Sequence, residues 1–253
     1  FPLYWIVSTS FKPESMIMQK PIRYWPSTAT FDNYVNAWKN VGFERYFINS
    51  FSIAICVAFF VMLMSILVAY PLTRFRFKGK KATVLVLLCT QFIPRSMLLI
   101  PLFMIFKLMN LINSPVALVI SYVTFGLPFN ALLMRGFLSS IPVALEEAAM
   151  IDGCSRLQSI WYVILPILVP ACVACASFAF IDSWKEFLFA IMFINRPANM
   201  TIPVGLNYMI GEYTINYGTL AAGAVIAIIP PMILFSFIQK YLVGGLSAGS
   251  VKG

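Results

Sequence analysis

Ile141-Pro142-Val143-Ala144-Leu145-Glu146-Glu147-Ala148-Ala149-Met150-Ile151-Asp152-Gly153-Cys154-Ser155-Arg156-Leu157-Gln158 separates two long apolar stretches and is the most informative segment of the chain. It reads as a short helix with defined ends. Pro142 suits a first helical turn, where no N–H is required. Glu146 and Glu147 lie early, where the helix dipole favours negative charge. Gly153 can take the left-handed conformation that stops a helix, and Ser155-Arg156-Leu157-Gln158 is a capping box that starts the next one. Leu145, Ala148, Ala149 and Asp152 fall at neighbouring positions of one face. Small alanines there would let another surface approach closely. From its residues alone the segment is either a plain connector or a docking helix for a partner.

Outward from this loop the chain is built of membrane-length apolar runs. We expect spans over 49–72, 82–107, 111–135, 159–182 and 216–240, each close to the roughly 20 residues that cross a hydrocarbon core. Residues 1–9 read as the end of an earlier, first span, so the native protein is expected to start before Phe1. Prolines inside these runs, among them Pro94, Pro101, Pro166, Pro170, Pro230 and Pro231, are tolerated where neighbouring helices or a cavity satisfy the freed carbonyls. Arg74, Arg76, Lys78, Lys80 and Lys81 follow the first full span as a dense basic cluster and predict a cytosolic turn. Alternation then makes 10–48 an external segment, 140–158 a cytosolic loop, 183–215 an external segment and 241–253 a cytosolic tail.

The composition agrees. Of 253 residues, 60% are hydrophobic and only 11% charged, against about 25% charged in ordinary soluble domains. This excludes a disordered chain and points to an all-α membrane protein. Five of the eighteen basic residues fall in the turn cluster, so the net charge of +9 does not by itself call for nucleic acid. There is no histidine, so the commonest general base and metal ligand is missing; no metal site and no catalytic residue is expected. Cys172 and Cys175 form a C-x-x-C inside a small-residue apolar stretch and read as packing residues rather than a redox pair.

Glu147-Ala148-Ala149, then Gly153 after three residues, then Val163-Ile164-Leu165-Pro166 after nine, resembles the EAA signature of permease subunits in binding-protein-dependent ABC importers. Val163 stands where that signature has Ile. Further stretches resemble the carbohydrate branch and its maltose-type second permease: Pro2-Leu3-Tyr4-Trp5 with Ser8-Thr9-Ser10-Phe11-Lys12-Pro13, Thr73-Arg74-Phe75-Arg76-Phe77-Lys78-Gly79, Leu127-Pro128-Phe129, Trp184-Lys185-Glu186-Phe187-Leu188, and Gly245 to Gly253. Lys185 stands where the family usually carries Asn. The resemblance implies a six-helix type I ABC importer permease fold, with the first helix truncated in this chain. It implies pairing with a second homologous permease, and a coupling loop (Leu145, Glu146, Glu147, Ala148, Ala149, Asp152, Gly153, with Leu165 and Pro166) docked on a dimeric cytosolic ATPase. An external solute-binding protein would deliver a sugar, di- or oligosaccharide in class. ATP and Mg would then sit on the partner ATPase, with no cofactor on this chain. Independently, the sequence has no G-x-x-x-x-G-K-[ST] phosphate loop.

Polar groups at membrane depth usually face a cavity. Gln91, Asn130, Asp182, Trp184 and Glu186 are the candidates for a solute path, because amides, carboxylates and an aromatic platform suit sugar hydroxyls and ring faces. Interfacial ion pairing with a belt tryptophan is the alternative for the last three. Arg95, between Pro94 and Pro101, reads as a structural cation bonded to freed carbonyls. Rival functions are the same machinery carrying glycerol phosphate or a polyol, an ion-coupled secondary transporter, which would need acids at the midplane, and a membrane enzyme, for which the catalytic groups are lacking.

Overall fold

The computed structural model describes residues 1–210 and 215–250, with side chains described as far as 239. Residues 251–253 of the expected tail, its side chains from Lys240 onward, and 211–214 of the expected external segment therefore lie outside the described residues. The helices in chain order are α1 (Pro2–Ser10), α2 (Glu14–Ile17), α3 (Asp32–Val35), α4 (Phe43–Arg74), α5 (Lys80–Cys89), α6 (Leu99–Leu108), α7 (Pro115–Ser139), α8 (Ala144–Ile151), α9 (Arg156–Ser159), α10 (Leu165–Trp184), α11 (Leu188–Phe193), α12 (Ile202–Tyr208) and α13 (Tyr217–Ser250). No strand occurs among the described residues.

Four stretches are long and apolar enough to cross a membrane: Phe43–Arg74, Pro115–Ser139, Arg156–Trp184 and Tyr217–Gln239. The expected single span over 82–107 is instead two helical pieces, Lys80–Phe92 and Arg95–Leu108, bent by 90°. Ile93 and Pro94 are both extended. The physical reason is local: a residue before proline is pushed out of the helical region. Large apolar side chains such as Phe59, Leu67 and Phe235 face outward, an arrangement that suits lipid or a partner and not water.

The chain forms two compact units, Phe1–Ile53 with Leu102–Leu118 and Trp184–Ile233, and Ala54–Pro101 with Val119–Ser183 and Leu234–Gly253. In the first, polar groups pin irregular segments that sequence reading leaves as a loose external stretch. Lys12 is buried; its Nζ donates to the Arg23 carbonyl at 2.7 Å and lies 4.3 Å from the Trp5 ring centre. Burial lowers its pKa from the usual lysine value. The Asn33 amide donates to the Ser10 and Lys12 carbonyls. The Glu14 carboxylate accepts from the backbone N–H groups of Tyr217 and Gly218, each at 3.0 Å, which places an acid at the N-terminus of α13. At Gly218 the chain passes so close to Asn33 that an added Cβ would lie 2.6 Å from its Oδ1. Asn113 Oδ1 accepts from the Asn195 and Arg196 N–H groups, and Ser50 Oγ accepts from Ile202 N at 2.8 Å.

The second unit has an apolar core drawn from α4, α7, α10 and the turn just before α10: Ala69, Tyr70, Met134, Leu138, Ile164, Leu168, Ala171 and Cys175. Its small members allow close helix approach, the usual device where lipid gives helices no hydrophobic drive to associate. Cys175 is fully buried and Cys172 packs against the same cluster, which matches the packing reading of the C-x-x-C. At the end of α4, Lys80 Nζ donates to the Phe75 carbonyl at 3.2 Å, a cation on helix-terminal carbonyls. Gly79 turns the chain with φ +97°.

Candidate functional site: the loop helix and the polar groups of the spans

The loop helix is α8. It begins at Ala144, two residues later than Pro142 suggests; Pro142 precedes it, and its carbonyl accepts from Leu145 N. The C-terminus is a complete Schellman arrangement. Cys154 N donates to the Ala149 carbonyl at 3.0 Å and Gly153 N to the Met150 carbonyl at 3.2 Å, with Gly153 at φ +93°. Ser155 then caps α9, its hydroxyl accepting from Gln158 N while the Gln158 side chain accepts from Ser155 N. The end of α8 and the start of α9 are therefore held by the local sequence, while the N-terminus of α8 has no side-chain cap.

Of the expected face Leu145, Ala148, Ala149 and Asp152, Ala149 is a correction: it lies inside, and Glu146 of the expected coupling loop joins it there. Glu146 and Ala149 are turned inward, whereas Leu145, Glu147, Ala148, Ile151 and Asp152 are exposed. Glu146 is not a surface contact: only 5% of it is exposed, and it forms an ion pair with Arg74 Nε. It also accepts from the Tyr70 hydroxyl at 2.8 Å. Arg74 NH2 donates further to the Ile141 carbonyl at 3.0 Å. So Arg74 belongs to a buried clasp, not to the solvated basic turn that its neighbours Arg76 and Lys78 form. The Arg156 guanidinium lies 5.3 Å from the Phe75 ring centre. These contacts bind α8 to the end of α4 and leave its outward face presented at a fixed angle. Leu165 and Pro166 follow a wide π-turn over Ile160–Ile164. Pro166 has no N–H for the Tyr162 carbonyl, and the backbone widens there. Leu165 and Pro166 lie beyond α8 and α9, on the first turn of α10.

The polar residues proposed for a solute path do not form one group. Trp184 is a core residue, 4% exposed. Its Nε1 donates to the Ala227 carbonyl at 3.0 Å, and it meets Phe47 edge-on at 5.5 Å. Glu186 accepts from Phe189 N and Ala190 N and so caps the start of α11. Asn130 is buried inside the bundle, and its amide donates back to the Gly126 carbonyl at 2.9 Å. Trp184 and Glu186 thus support structure where their side chains lie, whereas the Asn130 Oδ1 is buried without a hydrogen-bond partner. Gln91 is exposed beside the break after α5. Asp182 meets Arg95, with NH1 and Oδ2 2.8 Å apart. Arg95 is thus partnered by a carboxylate 87 residues away, not by the carbonyls that its flanking prolines suggest, and its guanidinium lies 5.8 Å from the Phe125 ring centre. Sequence reading offers an ion pair for Asp182 without its partner, and misses the Arg74–Glu146 pair, because the partners are remote in the chain.

Residues 61–247 match the family described as binding-protein-dependent transport system inner membrane component. The chain is 36% identical over 253 residues to the sulfoquinovosyl glycerol transport system permease protein SmoH of Agrobacterium fabrum, covering all of this chain and 89% of that protein. It is 34% identical over 256 residues to the trehalose/maltose transport system permease protein MalG of Thermococcus litoralis, covering all of this chain and 91% of that one. Its fold is similar to a chain in the crystal structure of a bacterial ABC transporter that imports the acidic polysaccharide alginate. That similarity has a TM-score of 0.78 at 23% identity, over 95% of this chain and 90% of that chain. The spans, the loop helix and these matches agree: the chain belongs to the binding-protein-dependent transport system inner membrane component family and is a multi-pass membrane permease, not an enzyme.

Proposed function

We propose that this chain lies in the bacterial cytoplasmic membrane and, with a second homologous permease, forms the path for a sugar, di- or oligosaccharide in class. An external solute-binding protein delivers the sugar, and a dimeric cytosolic ATPase carries ATP and Mg. The observation that carries the reading is α8: a short helix stopped at Gly153, clasped from behind by Arg74 and Tyr70, with Leu145, Glu147, Ala148, Ile151 and Asp152 facing out. That is the geometry of a docking element, and the relatives named above supply the sugar class.

The test is co-purification of the tagged chain from its native membrane. An ATPase and a second permease should accompany it, and hydrolysis in reconstituted vesicles should rise with loaded binding protein. Cysteines introduced at Lys78 and Glu147 should label only from the cytosolic side. Recovery of the chain alone, with proton- or sodium-driven uptake, would favour the secondary transporter instead.

A further inference from the structure

The end of α1 and the start of α13 lie side by side. Glu14, just beyond α1, holds the Tyr217 and Gly218 N–H groups, and the Asn33 that donates to the Ser10 carbonyl lies against Gly218. The start of α13 opens a span and α1 reads as closing another, so both points mark the same membrane boundary. A cavity of about 610 Å³ lies between the two helices, with the 17–22 segment completing its wall; ligand sites hold about 300–1,000 Å³. The lining is graded. Thr9, Gln19, Lys20 and Tyr217 line it near the boundary. Ala224 is seven residues further along α13, about 10 Å deeper, and the deeper wall of Ile6, Leu220, Ala221 and Ala224 has no polar side chain. Thr9 is 7% exposed and its hydroxyl has no hydrogen-bond partner. Lys20 is the only charged residue among the described residues of the lining. From 15 to 31 the chain carries Lys20 and Arg23, both exposed, and no acid. Tyr24 and Trp25 beside them are exposed as well, as aromatic residues are at headgroup level.

We infer that this cavity is a site for a phospholipid with an anionic headgroup, its acyl chain between α1 and α13 and its phosphate at Lys20. The gradient selects this occupant. A sugar would leave hydroxyls unpaired along the deeper wall. A protein segment ending inside the cavity would leave backbone groups unsatisfied at membrane depth. A lipid chain has no polar group to satisfy there, and its ester carbonyls reach the level of Thr9, whose hydroxyl is a donor. Lys20 and Arg23 attract an anionic headgroup rather than a zwitterionic one. Such a site requires only that α13 spans the membrane, not that the transported solute is a sugar.

The test uses the assembled complex in detergent and a phosphatidylglycerol whose acyl chain carries a diazirine. After irradiation, peptides covering Trp5–Thr9 and Leu220–Ala224 should carry the label, and labelling should saturate. Excess plain phosphatidylglycerol should remove it, whereas phosphatidylcholine and inorganic phosphate should not. Lys20→Gln, on the exposed rim, should raise the half-saturating probe concentration about fivefold, the worth of one cation near an anionic headgroup. Ala221→Trp, which fills the cavity, should abolish the labelling while ATPase pull-down survives. Labelling that does not saturate, equal competition by phosphatidylcholine, competition by inorganic phosphate, or an unchanged half-saturating concentration in Lys20→Gln would overturn the inference. So would a disulfide from Ala221→Cys to the second permease, because a protein would then fill the cavity. None of these outcomes touches the permease reading, which stands or falls on the separate ATPase pull-down of the wild-type chain.

Discussion

Replacing Glu146 by Gln keeps the shape of the clasp behind α8 and removes one charge. The Arg74 and Glu146 side chains are each only 6% exposed, so water does little to screen the loss. The amide oxygen of the substituted side chain can still accept from Tyr70. Arg74 keeps its bond to the Ile141 carbonyl but loses its counter-charge. Breaking a buried pair from one side costs about 3–5 kcal/mol. Because the Tyr70 bond survives, the lower value applies: about 3 kcal/mol, more than a hundredfold in the equilibrium between docked and undocked α8. At about 2–4 °C per kcal/mol for a chain of this size, the apparent melting temperature in detergent should fall by about 6–12 °C. Stimulated hydrolysis in vesicles should fall with it, since the outward face would no longer be held at one angle. The triple change Tyr70→Phe, Arg74→Met and Glu146→Leu removes every member of the cluster and should restore most of the stability, because apolar replacement of a whole buried pair is close to neutral. If Glu146→Gln melts like the wild type and keeps full stimulation, the clasp does not position the loop and this reasoning fails.

Gly153→Val should cost about 1–2 kcal/mol through the left-handed conformation; nothing lies within 4 Å of its would-be Cβ, so Gly153→Asn should retain ATPase pull-down where Val loses it. Glu147→Lys, on the exposed face, should leave the melting temperature unchanged and abolish ATPase binding in the same pull-down; unchanged binding would remove Glu147 from the docking surface. Gly218→Ala should destabilise the first unit, seen as faster proteolysis of the Glu14–Val41 region, because Asn33 must yield to the new methyl group. Lys12 has a lowered pKa, so the unfolded chain binds more protons just below the usual lysine pKa. Stability should therefore rise with pH through that window, and Lys12→Met should flatten the rise in pH-dependent melting curves.

The membrane architecture is legible in the sequence because apolar length is a local property. The stop of α8 and the start of α9 are legible for the same reason: Gly153 and the Ser155–Gln158 box act within a few residues. What sequence could not supply is pairing at a distance. Arg74 reads as one more basic residue of a cytosolic turn until the fold brings Glu146 to it across 72 residues, and Arg95 finds Asp182 in the same way. Trp184 and Glu186 mislead for a related reason. Their chemistry suits a sugar, yet the Ala227 carbonyl and the first turn of α11 satisfy the polar groups that a sugar would need. The α5–α6 break is signalled only by Pro94, which in α7 and α10 has counterparts (Pro128, Pro170) that leave those helices continuous.

The clasp between Glu14 and the start of α13 carries a timetable. The carboxylate and the Tyr217 N–H it accepts from are 203 residues apart in the chain. At about 5–20 residues per second, the ribosome delivers the second partner about 10–40 s after the first. Throughout that interval the Glu14 carboxylate lacks the N–H groups it accepts from. The contact that ties the start of the chain to α13 therefore forms late, only after Tyr217 and Gly218 have been made.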